Sequence, residues 1–157
     1  MRSRLVTAFL VSVATAAALQ AADDLFNGIW KLNAARSTYS PPRAVPPSAT
    51  LKYEATADQL TSTTEEVDAE GRPYTNRYTA HYDGKDVAIV AGLLGAETIA
   101  LKRIDALTIE ATLKRSGRII GTSTRVLSDG GRTMTITTVG TSANGVQVKN
   151  VAVFEKQ

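Results

Sequence analysis

From residue 26 to the end of the chain, apolar and polar residues alternate. The clearest run is 107–114. Leu107, Ile109, Ala111 and Leu113 share one face there, and Thr108, Glu110, Thr112 and Lys114 share the other. A period of two belongs to a half-buried β-strand, and no stretch after residue 26 shows the helical period. Thr, Val and Ile are frequent, and their branched side chains suit a pleated surface. Turn-forming residues cut the runs at short intervals: Asp83-Gly84, Ser116-Gly117, Asp129-Gly130-Gly131 and Asn144-Gly145. Asp-Gly is a strong hairpin signal. The pattern predicts about ten strands, over 27–33, 50–56, 60–67, 72–82, 87–90, 98–104, 107–114, 118–127, 133–139 and 146–155. Short turns place sequence neighbours side by side and antiparallel.

An open sheet of ten twisted strands tends to curl, split or close. Closure also removes exposed edges. The expected fold is therefore all-β: an antiparallel up-and-down meander closed into a β-barrel. A two-sheet sandwich is the structural rival, but it needs longer crossovers than the turns after Pro47 provide. Four of the five prolines fall at 41, 42, 46 and 47. Proline lacks the N–H a ladder requires, so this segment reads as an extended crossing or flap rather than a strand.

The first residues read as a leader. Arg2 and Arg4 precede an apolar run from Leu5 to Leu19, and Gln20-Ala21-Ala22-Asp23 ends it. That is the pattern of a helical secretory signal, too short for a comfortable membrane span. The expected division is a signal peptide over 1–21 and one barrel domain over 22–157. The mature protein would then be periplasmic or secreted, with no stable membrane insertion. Eighteen Lys and Arg stand against fifteen acids; two of the eighteen are Arg2 and Arg4, which leaves sixteen against fifteen. Such a balance gives no electrostatic case for nucleic acid. The chain has no cysteine and a single histidine, His81. Disulfides, thiolate chemistry and His-rich metal sites are thereby excluded.

Enzymatic motifs are lacking as well. There is no Gly-x-Ser-x-Gly elbow, and Gly92-Leu93-Leu94-Gly95 lacks the Lys and helix of a phosphate loop. Glu65 and Glu66 are adjacent on a strand and point to opposite faces. No catalytic residues, metal ligands or cofactors are expected.

Two short stretches carry a family resemblance. Phe26-x-Gly28-x-Trp30-Lys31-Leu32 resembles the opening strand of the lipocalin and fatty-acid-binding-protein (calycin) superfamily. Val151-Ala152-Val153-Phe154-Glu155-Lys156 is similar to the closing strand of its fatty-acid-binding branch. The layout between them also resembles bacterial exported lipocalin-like proteins. The resemblance implies a barrel whose floor is plugged by Trp30 beside Gly28, with a cation over the indole; Arg125 and Lys149 are the candidates. It also marks a departure. Ala152 and Phe154 stand where that branch carries Arg-x-Tyr for a ligand carboxylate, so that anion site is not expected. Nor is the branch's helical lid, because the segment after the first strand is short and proline-rich.

The function implied is binding of a small hydrophobic or amphipathic molecule inside the barrel. Tyr53, Tyr74, Tyr78, Ile109 and Phe154 are the candidate lining residues. Arg77 joins them if its face of the 72–82 strand is the inner one; Tyr74 and Tyr78 share the opposite face. The alternative is a filled barrel that acts as an interaction module. It would touch an unknown protein or envelope partner through the proline segment or the Ala91–Ala96 loop.

Overall fold

A computed structural model describes residues 23–42, 46, 48–67, 71–90 and 93–157. The leader expected over 1–21 lies outside the described residues. The strands are β1 (Gly28–Leu32), β2 (Thr38–Ser40), β3 (Ala49–Ala55), β4 (Gln59–Val67), β5 (Pro73–His81) and β6 (Val87–Ala88), then β7 (Thr98–Arg103), β8 (Thr108–Arg115), β9 (Arg118–Ser128), β10 (Thr133–Thr141) and β11 (Gln147–Lys156). They form one antiparallel sheet in the order β5-β4-β3-β1-β11-β10-β9-β8-β7-β6. The first strand and the last lie side by side, with Leu32 opposite Phe154. That pairing curls the meander into a nearly closed barrel.

β2 is a strand beyond the ten expected, and the lack of a ladder between the consecutive strands β5 and β6 is a second departure from the expected meander. β2 pairs with β11, with Thr38 opposite Val151 and Ser40 opposite Lys149. It runs in the direction of β1 and continues it past a kink. A single 3-10 turn, Ala34–Arg36, makes the kink, with Asn33 accepting from the Arg36 N–H at 3.1 Å. The Ser37 hydroxyl donates to the Asn33 carbonyl and accepts from the Val153 N–H at 3.0 Å. β11 thus keeps a partner beyond the end of β1. Proline does not prevent this, because Thr38–Ser40 ends just before Pro41.

β5 and β6 are the ends of the sheet, with no ladder between them. The seam is spanned otherwise. Asp83 bridges to Lys102 and the Gly84 N–H donates to the Leu101 carbonyl at 3.0 Å, while the Asn76 side chain accepts from the Val90 N–H at 3.3 Å.

One end of the barrel is filled. Phe26, Trp30, Leu60, Ala80, Leu101, Ile109 and Met134 are fully buried. The Trp30 Nε1–H donates to the Phe26 carbonyl at 2.9 Å, which satisfies the one polar group of the indole. The cation over the ring is Lys156, with Nζ 5.2 Å from its centroid. It is neither Arg125 nor Lys149. β11 runs past β1 in a register that sets Lys156 directly opposite Trp30. Lys149 lies seven residues earlier on an exposed position, and Arg125 turns into the barrel. Gly28, at φ +132, lets the Lys156 stem cross: a Cβ there would sit 2.8 Å from Lys156 Cε. Below the floor Arg103 pairs with Asp24 and lies 5.4 Å from the centroids of both Phe26 and Tyr82.

Candidate functional site

Above this floor the barrel is not filled. A cavity of about 440 Å³ extends from the level of Phe154 and Leu51 to a mouth framed by Pro41, Pro46, Leu94 and Ser142. That volume is typical of small-molecule sites, which run from roughly 300 to 1,000 Å³. Leu32, Leu51, Ile136, Ala152 and Phe154 supply an apolar wall, and Ser62, Thr64, Thr138 and Asn150 supply polar positions.

Each lining residue is placed by strand parity. On β9 the inward positions are Ser123, Arg125 and Leu127, all buried, and Val126 between them is 41% exposed. On β5 the inward positions are Tyr74, Asn76, Tyr78 and Ala80. β4 matches them across its ladder, with Ser62 opposite Tyr78 and Glu66 opposite Tyr74.

Arg125 dominates the interior. It is 4% exposed and lines the cavity. Its Nε–H donates to the Tyr53 hydroxyl at 3.0 Å and an Nη2–H donates to the Tyr78 hydroxyl at 3.3 Å. Nη1 is buried and has no protein partner. No acidic side chain among the described residues pairs with this guanidinium. Burial works against its charge, but Tyr53 and Tyr78 hold its pKa above the ordinary arginine value. It is therefore a cation throughout the accessible pH range. Burial also raises the Tyr78 pKa against the opposing pull of Arg125. The Tyr78 phenol therefore keeps its proton at pH 7 and offers only a neutral oxygen. A buried charge without a counter-ion costs several kcal/mol in a folded protein.

Among the described residues one acid lines the cavity, and it sits at the mouth. Glu66 accepts from the Tyr74 hydroxyl at 2.7 Å. Glu66 is four residues along β4 from Ser62, or ~13 Å at the usual rise. The interior is thus polarised, cationic at depth and acidic at the rim.

The expected site residues divide cleanly. Tyr53 and Phe154 line the cavity and Tyr74 lies at its mouth, whereas Tyr78 is not among the lining residues and joins the site through the hydrogen bond it accepts from Arg125. Ile109 is fully buried in the floor core and does not reach the cavity. Arg77 is exposed on the outer face of β5, as is His81. Gly28 and Trp30 lie in the floor. The proline segment contributes Pro41 and Pro46 to the mouth; residues 91 and 92 of the apolar loop lie outside the described residues.

The residue that sequence reasoning missed as a lining group is Arg125. Its signal is weak because β9 carries apolar residues on both faces, with Ile119 beside Ile120 and Val126 beside Leu127. Either parity gives a plausible inner face. The cation also comes from a different strand from the one where the resemblance would put it.

No protein-family model matches the chain. No curated protein matches it either. Solved structures do. A redesigned β-barrel is 12% identical, with 88% of this chain and 99% of that one covered at a TM-score of 0.51. A zebrafish ileal bile-acid-binding protein, complexed with cholic acid, is 16% identical, with 85% and 99% covered at 0.51. Lobster apocrustacyanin A1 is 10% identical, with 85% and 61% covered at 0.47. These likenesses concern the backbone. The chain has the barrel fold of the calycins, the superfamily of lipocalins and fatty-acid-binding proteins.

Proposed function

We propose that the protein binds a small anionic amphiphile inside the barrel, with its acidic group on Arg125 and its apolar body against Leu32, Leu51, Ile136 and Phe154. The observation that carries this reading is the Arg125 Nη1 atom, buried beside a 440 Å³ cavity without a protein partner. Nη1 donates and cannot accept, so its partner must present an acceptor, and an anion would also neutralise the charge. The two phenols hold the fork in place before the ligand arrives. Binding is then non-catalytic: desolvation of an apolar body in a preformed cavity, with one charge fixing its direction. The leader over 1–21 supports export, with the ligand met in the periplasm or outside the cell. The cavity counts against the filled-barrel alternative.

The test is calorimetric titration of the protein with dodecanoate and with dodecanol, repeated on Arg125→Met. A hydrogen bond to a charged group contributes ~1.5–3 kcal/mol. The acid should therefore bind roughly ten-fold or more tighter than the alcohol, and Arg125→Met should erase the difference. Equal binding of acid and alcohol by the unaltered protein would contradict the assignment.

A further inference from the structure

Asn150 is the second buried side chain of the cavity whose hydrogen bonding is incomplete. It is 8% exposed, lines the cavity, and its Oδ1 has no partner in the protein. Its neighbours explain why. Across the sheet Asn150 is opposite Thr138, which is opposite Ser123. The Thr138 hydroxyl donates to the Ser123 hydroxyl at 3.2 Å, away from Asn150, so its proton is already used. Two residues deeper on β11 the wall is apolar, with Ala152 and then Phe154.

An orphaned buried acceptor costs about 1–3 kcal/mol. A plain hydrocarbon body laid against this wall would leave that cost in place. We infer that the ligand's apolar body carries a hydroxyl group that pairs with Asn150, making the natural ligand a hydroxylated anionic amphiphile. The inference rests on the reading of Arg125 as the seat of the acidic group. A hydroxyl both donates and accepts, so it satisfies either end of the amide. A site built around a hydrogen bond discriminates strongly against an analogue that lacks the partner, because its own group is then stranded.

The sheet register gives the spacing. Arg125 is opposite Ile136, and Ile136 is opposite Ala152, one inward step below Asn150. Two strand spacings and two residues along the strand separate the Cα atoms of Arg125 and Asn150 by ~12 Å, somewhat less across a curved wall. The hydroxyl therefore belongs well down the body of the molecule and not beside its acid. This leaves the acid at depth and the hydroxyl nearer the mouth.

The experiment is calorimetric titration with dodecanoate and a positional series of its monohydroxy derivatives, on the unaltered protein, Asn150→Leu and Asn150→Ala. One neutral hydrogen bond predicts that a mid-chain or distal isomer binds roughly three- to ten-fold tighter than dodecanoate. Both variants should lose that preference, with the far-UV circular dichroism and cooperative urea unfolding of each reporting that the barrel is folded. If no isomer outbinds dodecanoate, or the preference persists in both variants, the hydroxyl assignment is overturned and the Arg125 assignment stands. If neither dodecanoate nor any isomer binds, both fall together.

Discussion

Arg125 is a residue whose usefulness to a ligand and whose effect on stability should have opposite signs. In the free barrel its charge is buried against two phenol hydroxyls. Replacing a poorly compensated buried charge with an apolar side chain of similar length is often neutral or stabilising, by up to a few kcal/mol. Thermal unfolding of ligand-free Arg125→Met should therefore show a midpoint equal to or above that of the unaltered protein. A large loss of stability would mean that the arginine is a structural strut. A second residue-scale prediction concerns alkaline pH. Burial first of all, against the pull of Arg103, pushes the Tyr82 pKa from 10.0 up to about 12. The folded state thus holds this proton more tightly than the unfolded chain does. The resulting stability is fully present below pH 10 and is lost as pH rises toward about 12. Urea unfolding across that window should show a falling midpoint, and Tyr82→Phe should flatten part of the fall. The shared parity of Tyr74, Tyr78 and Tyr82 was legible in the sequence, but which face of β5 turns inward was not; the burial of Ala80 on the tyrosine face decides it. Arg125 was not legible, because Val126 and Leu127 offer β9 two equally apolar faces. The choice is made by the neighbouring strand, which sets Met134 opposite Leu127 and Ile136 opposite Arg125.

Among the strands, β9 and β10 meet near the mouth through a pair of glycines that leave no room for a Cβ. Gly121 is opposite Gly140. A Cβ on Gly140 would overlap the Ile120 carbonyl oxygen, the Gly121 Cα and the Leu94 Cδ1 atom. Two of these are backbone atoms, so the clash cannot be relieved by turning a side chain. Leu94 itself sits at φ 61, a conformation that a non-glycine residue adopts at a cost of order 1–2 kcal/mol. The missing Cβ atoms leave the space that its side chain fills at the cavity's edge. Gly140→Ala should destabilise the barrel by ~1–3 kcal/mol, read as a lower urea midpoint at unchanged slope. Most strand positions were legible from alternation and turn residues, because each hairpin signals itself locally. The β1–β2 kink was not. It depends on Ser37 reaching Val153, a partner more than a hundred residues away, and no local pattern announces such a pairing.

Taken whole, the barrel separates a structural end from a binding end. The floor uses the aromatic residues Phe26 and Trp30, sealed by Lys156 and by the Arg103–Asp24 pair. Trp30 is fully buried and is not part of the cavity wall. Its emission should therefore be that of a dry indole, inaccessible to iodide and nearly unchanged when a ligand fills the cavity. A large emission shift on binding would place the ligand elsewhere. The opposite end combines an apolar wall, two phenols and a guanidinium in a space that the side chains do not fill. The sequence made the closed sheet and the indole floor legible, since both rest on local patterns at the chain's two ends. The cavity was beyond it, because unfilled volume is set by how eleven strands curve together and not by any one of them. The most direct measurement is a crystal structure with a dodecanoate brominated at its far end. The account predicts the bromine's anomalous signal inside the barrel and the carboxylate within hydrogen-bond distance of Arg125 Nη1. Bromine found only on the outer surface, or a carboxylate turned to the mouth with Arg125 left untouched, would contradict it.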